Sequence, residues 1–183
     1  MPGPALSRDE LKALVRTVPD FPAKGVQFRD ITTLIADGDG LAATIADIAD
    51  RVEAGGAQMV AGMEARGFIF GAAVAARLGI GFLPIRKPGK LPIATLGIDY
   101  ALEYGSDRLE IDPGAVKEGA NIALVDDLIA TGGTACASAA LLRKAGAQVD
   151  HALFVIDLPD LGGADRLRAE SIAVDALMAF DGD

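Results

Sequence analysis

The chain has 183 residues, 51% of them hydrophobic, which is enough to bury a full core within one domain covering residues 1–183. Its 17 lysines and arginines against 26 aspartates and glutamates leave a net charge of −9, a poor surface for nucleic acid or an anionic membrane. A single cysteine excludes an internal disulfide framework or a multi-cysteine zinc site, and the absence of a long apolar run and of a signal-peptide pattern makes a cytoplasmic location, with no membrane or nucleic-acid partner, the expectation.

In chain order, a helix of roughly ten residues is predicted to open at Ser7, with Glu10 three positions on as a capping box, and to stop before Pro19. Leu11, Leu14 and Val15 give it one apolar face. Residues 21–32, F-P-A-K-G-V-Q-F-R-D-I-T, bring two aromatics, an arginine and a Pro/Gly pair into a segment without a regular period. Two readings stay open there: a rigid shelf for a flat heteroaromatic ring, or an irregular segment whose Phe21 and Phe28 plug the core. After a turn at 37–40, Leu41, Ile45, Ile48 and Val52 recur at helical spacing, and the glycines at 55 and 56 end that helix.

Residues 59–61 read as a strand, 62–67 as a loop and 68–78 as a helix. Arg66 stands at the mouth of this helix, where a guanidinium and exposed N–H groups can share one anion. A further strand at 81–85 runs into Arg86-Lys87-Pro88-Gly89-Lys90, three cations whose mutual repulsion calls for an anion nearby. Apolar and polar residues then alternate on both sides of Gly105-Ser106-Asp107, which predicts an antiparallel ribbon within residues 91–112, either a lid or a passive edge hairpin.

Residues 122–125 are a short unbroken apolar run, suited to a strand buried on both faces of a parallel sheet. Asp126 and Asp127 follow, at the predicted strand end, and read as partners for hydroxyl groups. Next come Ala130, Thr131, Gly132, Gly133 and Thr134, small and rich in donors, leading into an Ala/Leu-rich helix that ends at Gly146. Convergent N–H groups, a helix N-terminus and two threonine hydroxyls suit one phosphate. The nucleoside-triphosphate P-loop lysine is missing, so the run from 122 to 134 reads as a sugar-phosphate site. Cys136, early in that helix, reads as a small packing residue, although a low-pKa thiol is conceivable at a helix N-terminus. His151 opens the apolar run 151–156 within a strand at 149–156 and reads as structural or surface-exposed; a turn at 157–160, a polar helix at 162–170 and a last strand at 171–180, joining the sheet or the hood, complete the chain.

The strand, the acidic pair and T-G-G-T resemble the phosphoribosyl pyrophosphate (PRPP) motif of the type I phosphoribosyltransferases, and residues 124–134 match it throughout. The resemblance implies an α/β fold: a mainly parallel twisted sheet flanked by helices, with an N-terminal hood at about 20–35 and an inserted β-ribbon lid at about 91–112. It also implies ribose hydroxyls on Asp126 and Asp127 and the 5′-phosphate on the loop from Ala130 to Thr134. F-P-x-x-G-x-x-F-R-D-I-T, the loop G-M-E-A-R-G-F-I-F-G and L-E-Y-G resemble the adenine-specific branch of that family. By that likeness the backbone near Gln27 and the side chain of Arg29 read adenine, Phe28 closes the site, and Leu158 packs on the base. Ala65, Arg66, Lys87 and Lys90 then hold pyrophosphate, with an unusual peptide at Glu64-Ala65; Glu103 is the candidate catalytic acid and Tyr104 a lid residue. The implied reaction gives AMP and pyrophosphate from adenine and PRPP. Mg²⁺ is expected on the substrate, with Asp126 and Asp127 reaching it through water, and the family usually forms homodimers. Another purine base, or a non-catalytic PRPP-sensing regulator, remains as the alternative.

Overall fold

Strands rich in Val, Ile, Leu and Ala without polar alternation need cover on both faces, and helices on each side of a parallel sheet supply it. The computed structural model describes residues 6–101 and 105–182. The chain opens with α1 (Arg8–Leu14), a hairpin of β1 (Arg16–Pro19) and β2 (Gln27–Asp30), then α2 (Thr32–Ala36) and α3 (Gly38–Ala54). It continues through β3 (Met59–Met63), α4 (Arg66–Leu78) and β4 (Gly81–Ile85), and then a ribbon of β5 (Leu96–Ala101) and β6 (Ser106–Ile111). The last part comprises β7 (Ile122–Ile129), α5 (Gly133–Lys144), β8 (His151–Asp157), α6 (Gly163–Ala169) and β9 (Ala173–Ala179).

Five strands form the main sheet in the order β4-β3-β7-β8-β9, with every neighbouring pair parallel. The direction of winding reverses between β3 and β7, where an α/β sheet opens a crevice at its carboxyl edge. Side chains of β7 alternate between two cores. Ile122 and Leu124 join Leu141 and Leu142 of α5 and Leu109 and Ile111 of β6. Ala123 and Val125 join Ile48 and Val52 of α3 and Phe70 and Val74 of α4. The ribbon is a separate antiparallel pair, tied to the end of β4 by the bridge between Arg86 and Glu110.

Several element boundaries differ from the sequence expectations, each for a physical reason. The Ser7 capping box forms, with the Glu10 N–H donating to the Ser7 hydroxyl, but α1 stops at Leu14 because Val15 turns inward and the next residues pair with β2. Segment 21–32 is therefore half hairpin rather than fully irregular, and Phe21 lies 52% exposed instead of plugging the core. Helix α3 begins at Gly38, earlier than expected, since the Asp37 carboxylate accepts the Gly40 N–H at 2.7 Å. Strand β7 extends to Ile129, so Asp126 and Asp127 lie inside the strand and not beyond it. Pairing with β3 ends at Val125 while pairing with β8 continues to Ile129, which leaves one edge of β7 open at the acidic pair. His151 has a structural role, its Nε2 lying 2.8 Å from Asp175 on β9. The last strand joins the sheet beside β8, and the residues after it reach the N-terminal hairpin.

Candidate active site

The open edge of β7 faces a cavity of about 250 Å³ lined by Arg66, Lys87, Asp126, Asp127 and the loop from Ala130 to Thr134. Gly132 takes the left-handed conformation, φ +79°, which turns the chain directly into α5 and leaves the first N–H groups of that helix without intrahelical partners. The loop is fixed from behind by α6: the Gly163 N–H donates to the Ala130 carbonyl at 3.0 Å, and Arg166 Nη1 donates to the Thr131 carbonyl at 2.8 Å. Two glycines, 132 and 163, permit this contact, because a Cβ on Gly132 would stand 2.8 Å from the Gly163 oxygen.

The two aspartates take different environments from adjacent positions. Asp127 is 4% exposed and accepts a 2.5 Å hydrogen bond from Arg66 Nε at the start of α4. Burial pulls the Arg66 pKa down, but Asp127 and then Asp126 outweigh it and the net shift is upward. The Asp126 carboxylate accepts the Asp127 N–H at 2.8 Å. Loss of hydration, then the neighbouring Asp127 charge, holds the Asp126 carboxyl well above the usual range. Gly67 makes room for it, since a Cβ there would be 2.8 Å from Asp126 Oδ1. The peptide between Glu64 and Ala65 is cis.

A second cavity of about 860 Å³ adjoins the first along Leu128, Ala130, Thr131, Gly133 and Thr134. Gln27, Phe28 and Arg29 of β2 form one wall; Leu158 and Leu161, after β8, form another. The Arg29 guanidinium donates to the Thr17 hydroxyl at 2.7 Å and to the Asp181 carbonyl at 2.9 Å, and lies 4.7 Å from the centre of the Phe180 ring. Phe28 meets Phe21 edge-to-face at 5.2 Å.

Against this geometry, residues 29–166 match the phosphoribosyl transferase domain family. An adenine phosphoribosyltransferase of Erythrobacter litoralis is 70% identical over 95% of this chain and 98% of its own length; that of Novosphingobium aromaticivorans is 69% identical over 97% and 99%. The chain belongs to the adenine phosphoribosyltransferase family. Among solved adenine phosphoribosyltransferases, the Thermoanaerobacter pseudethanolicus structure superposes with a TM-score of 0.90 at 45% identity, over 95% of this chain and 100% of the other. The Saccharomyces cerevisiae structure, complexed with an imino-altritol bisphosphate and adenine, superposes with a TM-score of 0.88 at 35% identity, over 93% and 98%.

Most residues singled out in the sequence of this adenine phosphoribosyltransferase relative converge on the paired cavities. Lys90 is exposed and outside both linings, and Ala65 caps α4 without lining either cavity. Glu103 and Tyr104 lie outside the described residues. The crowding of Arg86 and Lys87 does not require an external anion: Arg86 Nε donates to Glu64 at 3.0 Å, and Lys87 Nζ is paired with Asp107. Cys136 is the reverse of a reactive thiol, since burial and then Glu170 push it up to about 11. Among the described residues no group of three or more His, Cys, Asp or Glu side chains is placed to hold a metal.

Sequence reasoning missed four participants. Arg166 and Leu161 follow β8 and enter the site only because α6 folds back on the loop. Tyr100 and Asp107 face each other across the ribbon, and the Tyr100 hydroxyl lies 3.2 Å from both Asp107 Oδ2 and Thr134 Oγ1. Their alternation with apolar neighbours was visible, but not which face met the phosphate loop.

Proposed function

We propose that the chain transfers the 5-phosphoribosyl group of PRPP to adenine, forming AMP and releasing pyrophosphate. The observation that carries this reading is the adjacency of a polar, glycine-lined cavity and a larger, more apolar one along the same loop, 128–134. The 5′-phosphate takes the N–H groups of the Thr131–Thr134 loop and the ribose hydroxyls take Asp126 and Asp127. Pyrophosphate takes Arg66, Lys87 and the N-terminus of α4; Lys90, on the same loop as Lys87 but outside both linings, is assigned to it from the family resemblance alone. Adenine lies between Phe28 and Leu158, where the Gln27 backbone and the Arg29 side chain read its edge.

Catalysis on this reading is positioning and charge management. Adenine N9 forms a bond to C1′ as the C1′–oxygen bond to pyrophosphate breaks, and positive charge develops on the ribose between the acidic pair and the loop. Glu103 is assigned to carry or share the proton near adenine N7 as negative charge leaves N9 for the new bond to C1′, and Tyr104 covers the substrates. Asp126 and Asp127 line the cavity together with Glu64, which is held by Arg86, and among the described residues no group of three or more His, Cys, Asp or Glu side chains is placed to hold a metal; this fits a Mg²⁺ that arrives on PRPP and keeps its water. When bound, Mg²⁺ would neutralise charge on the departing pyrophosphate, with Asp126 and Asp127 holding it through water. A homodimer is the assembly we assign, as the family resemblance implies. The lone thiol, Cys136, suits a reducing compartment, and the cytoplasm is the location we assign.

The test is pyrophosphate release from PRPP and Mg²⁺ with adenine, hypoxanthine, guanine, xanthine and orotate in parallel. Release with adenine alone is the expected result. Release with another base would keep the phosphate assignments and refute those of Gln27 and Arg29, and Glu103→Ala with undiminished single-turnover rate would refute the proton role.

A further inference from the structure

One donor in each proposed phosphate subsite is engaged by the chain's own ribbon. Lys87 lines the phosphate cavity, yet its ammonium is paired with the Asp107 carboxylate of β6. The Tyr100 hydroxyl lies 3.2 Å from Asp107 and 3.2 Å from the Thr134 hydroxyl of the phosphate loop. A phenol has one proton, and the carboxylate is the stronger acceptor, so Tyr100 donates to Asp107 and accepts from Thr134. The Thr134 proton and one Lys87 N–H are thus both spent within the protein. A carboxylate and a phosphate oxygen ask the same thing of an ammonium, so the ribbon pair and PRPP compete for these donors.

We propose that Asp107, seconded by Tyr100, is an internal competitor for the phosphate-binding groups, a positioning residue acting through Lys87 that weakens the grip on pyrophosphate. The inference rests on the placement of pyrophosphate at Lys87 and of the 5′-phosphate at Thr134. Its chemical logic concerns reversibility: pyrophosphate must be held while the C1′ bond breaks and then let go, and a resident carboxylate beside Lys87 offers the ammonium another partner at that moment. Lys87 is partly exposed, at 39%, and so is Asp107, at 27%. The pair is therefore solvent-screened and displaceable, unlike the more enclosed Asp127.

The experiment titrates the full chain with inorganic pyrophosphate and, separately, with ribose 5-phosphate. Asp107→Asn keeps the shape of the ribbon and leaves buried Leu109 and Ile111 untouched. It should tighten pyrophosphate about fivefold and lower KM for PRPP and the pyrophosphate inhibition constant by the same factor without raising kcat, while ribose 5-phosphate changes by less than about twofold. Tyr100→Phe releases the Thr134 proton and should do the converse, tightening ribose 5-phosphate about twofold and leaving pyrophosphate unchanged. Weaker or unchanged pyrophosphate binding in Asp107→Asn would overturn the proposal, as would a gain that persists in a Lys87→Met background, because the effect would then be plain charge repulsion. Lys87→Met by itself separates the two readings. Undiminished pyrophosphate binding in that variant refutes the subsite assignment and the competition with it; a loss there without a gain in Asp107→Asn refutes the competition alone.

Discussion

The phosphate end of the site and the base end are assembled in opposite ways. At the phosphate end most of the lining comes from one unbroken run, Asp126 to Ala135, carried on β7 and the start of α5. At the base end the wall is gathered from β2, the end of β7, the turn after β8 and α6, and its Arg29 is anchored to Thr17 and to a carbonyl beyond β9. A contiguous run holds its geometry through local backbone conformation and the strand behind it. A gathered wall depends on several elements docking in register. The first should therefore fail through backbone crowding, and the second through loss of single long-range side-chain contacts.

The harshest challenge to this contrast is Gly163→Ala. Its Cβ would fall 2.6 Å from the Gly132 nitrogen, against backbone that cannot yield without moving the phosphate loop. We expect a loss of about 3 kcal/mol of stability, and about a hundredfold fall in kcat/KM for PRPP, read by thermal melting and steady-state kinetics. A variant that melts and binds PRPP like the parent would show that the loop is rigid independently of α6, and would refute the claim that crowding is its mode of failure.

At the base end, Arg29→Lys keeps the charge but cannot supply the guanidinium fork to Thr17 and the Asp181 carbonyl beside the Phe180 ring. KM for adenine should rise about tenfold, matching one lost charge-assisted hydrogen bond, with the dissociation constant for PRPP unchanged. Equal damage to both substrates would mean that the two ends are mechanically coupled and the contrast is drawn too sharply.

The mildest effect concerns stability within the contiguous run itself. Asp126 has a carboxyl pKa raised first by burial and then by Asp127. Between the ordinary carboxylate pKa of about 3.9 and that raised value, the folded chain holds a proton that the unfolded chain has released, so stability falls as pH rises through the window. Asp126→Asn removes the cost. Its melting temperature should exceed that of the parent at pH 8 and converge with it at low pH, even though PRPP binding is impaired. A parent whose stability rises with pH relative to the variant would contradict the assignment.

Hydrophobic periodicity exposed α3, apolar runs exposed the strands, and the Ser7–Glu10 pair announced a helix start, because these signals rest on neighbours a few residues apart. The acidic pair with T-G-G-T was legible for the same reason. Its chemistry is encoded by adjacent residues, glycine freedom and a helix N-terminus, and it needs little from the rest of the chain beyond a strand to stand on.

Tertiary structure decided what depended on partners far along the chain. Whether Asp126 and Asp127 ended a strand or lay within one was settled by β8 outrunning β3 beside them. The crowded cations after β4 found Glu64 and Asp107, 22 and 20 residues away, instead of waiting for a ligand. Arg166 and the end of β9 reached the site through packing that no local pattern announces. Backbone conformation and burial period are written locally, whereas the identity of a charge's partner is fixed only when the sheet order brings distant segments within hydrogen-bonding distance.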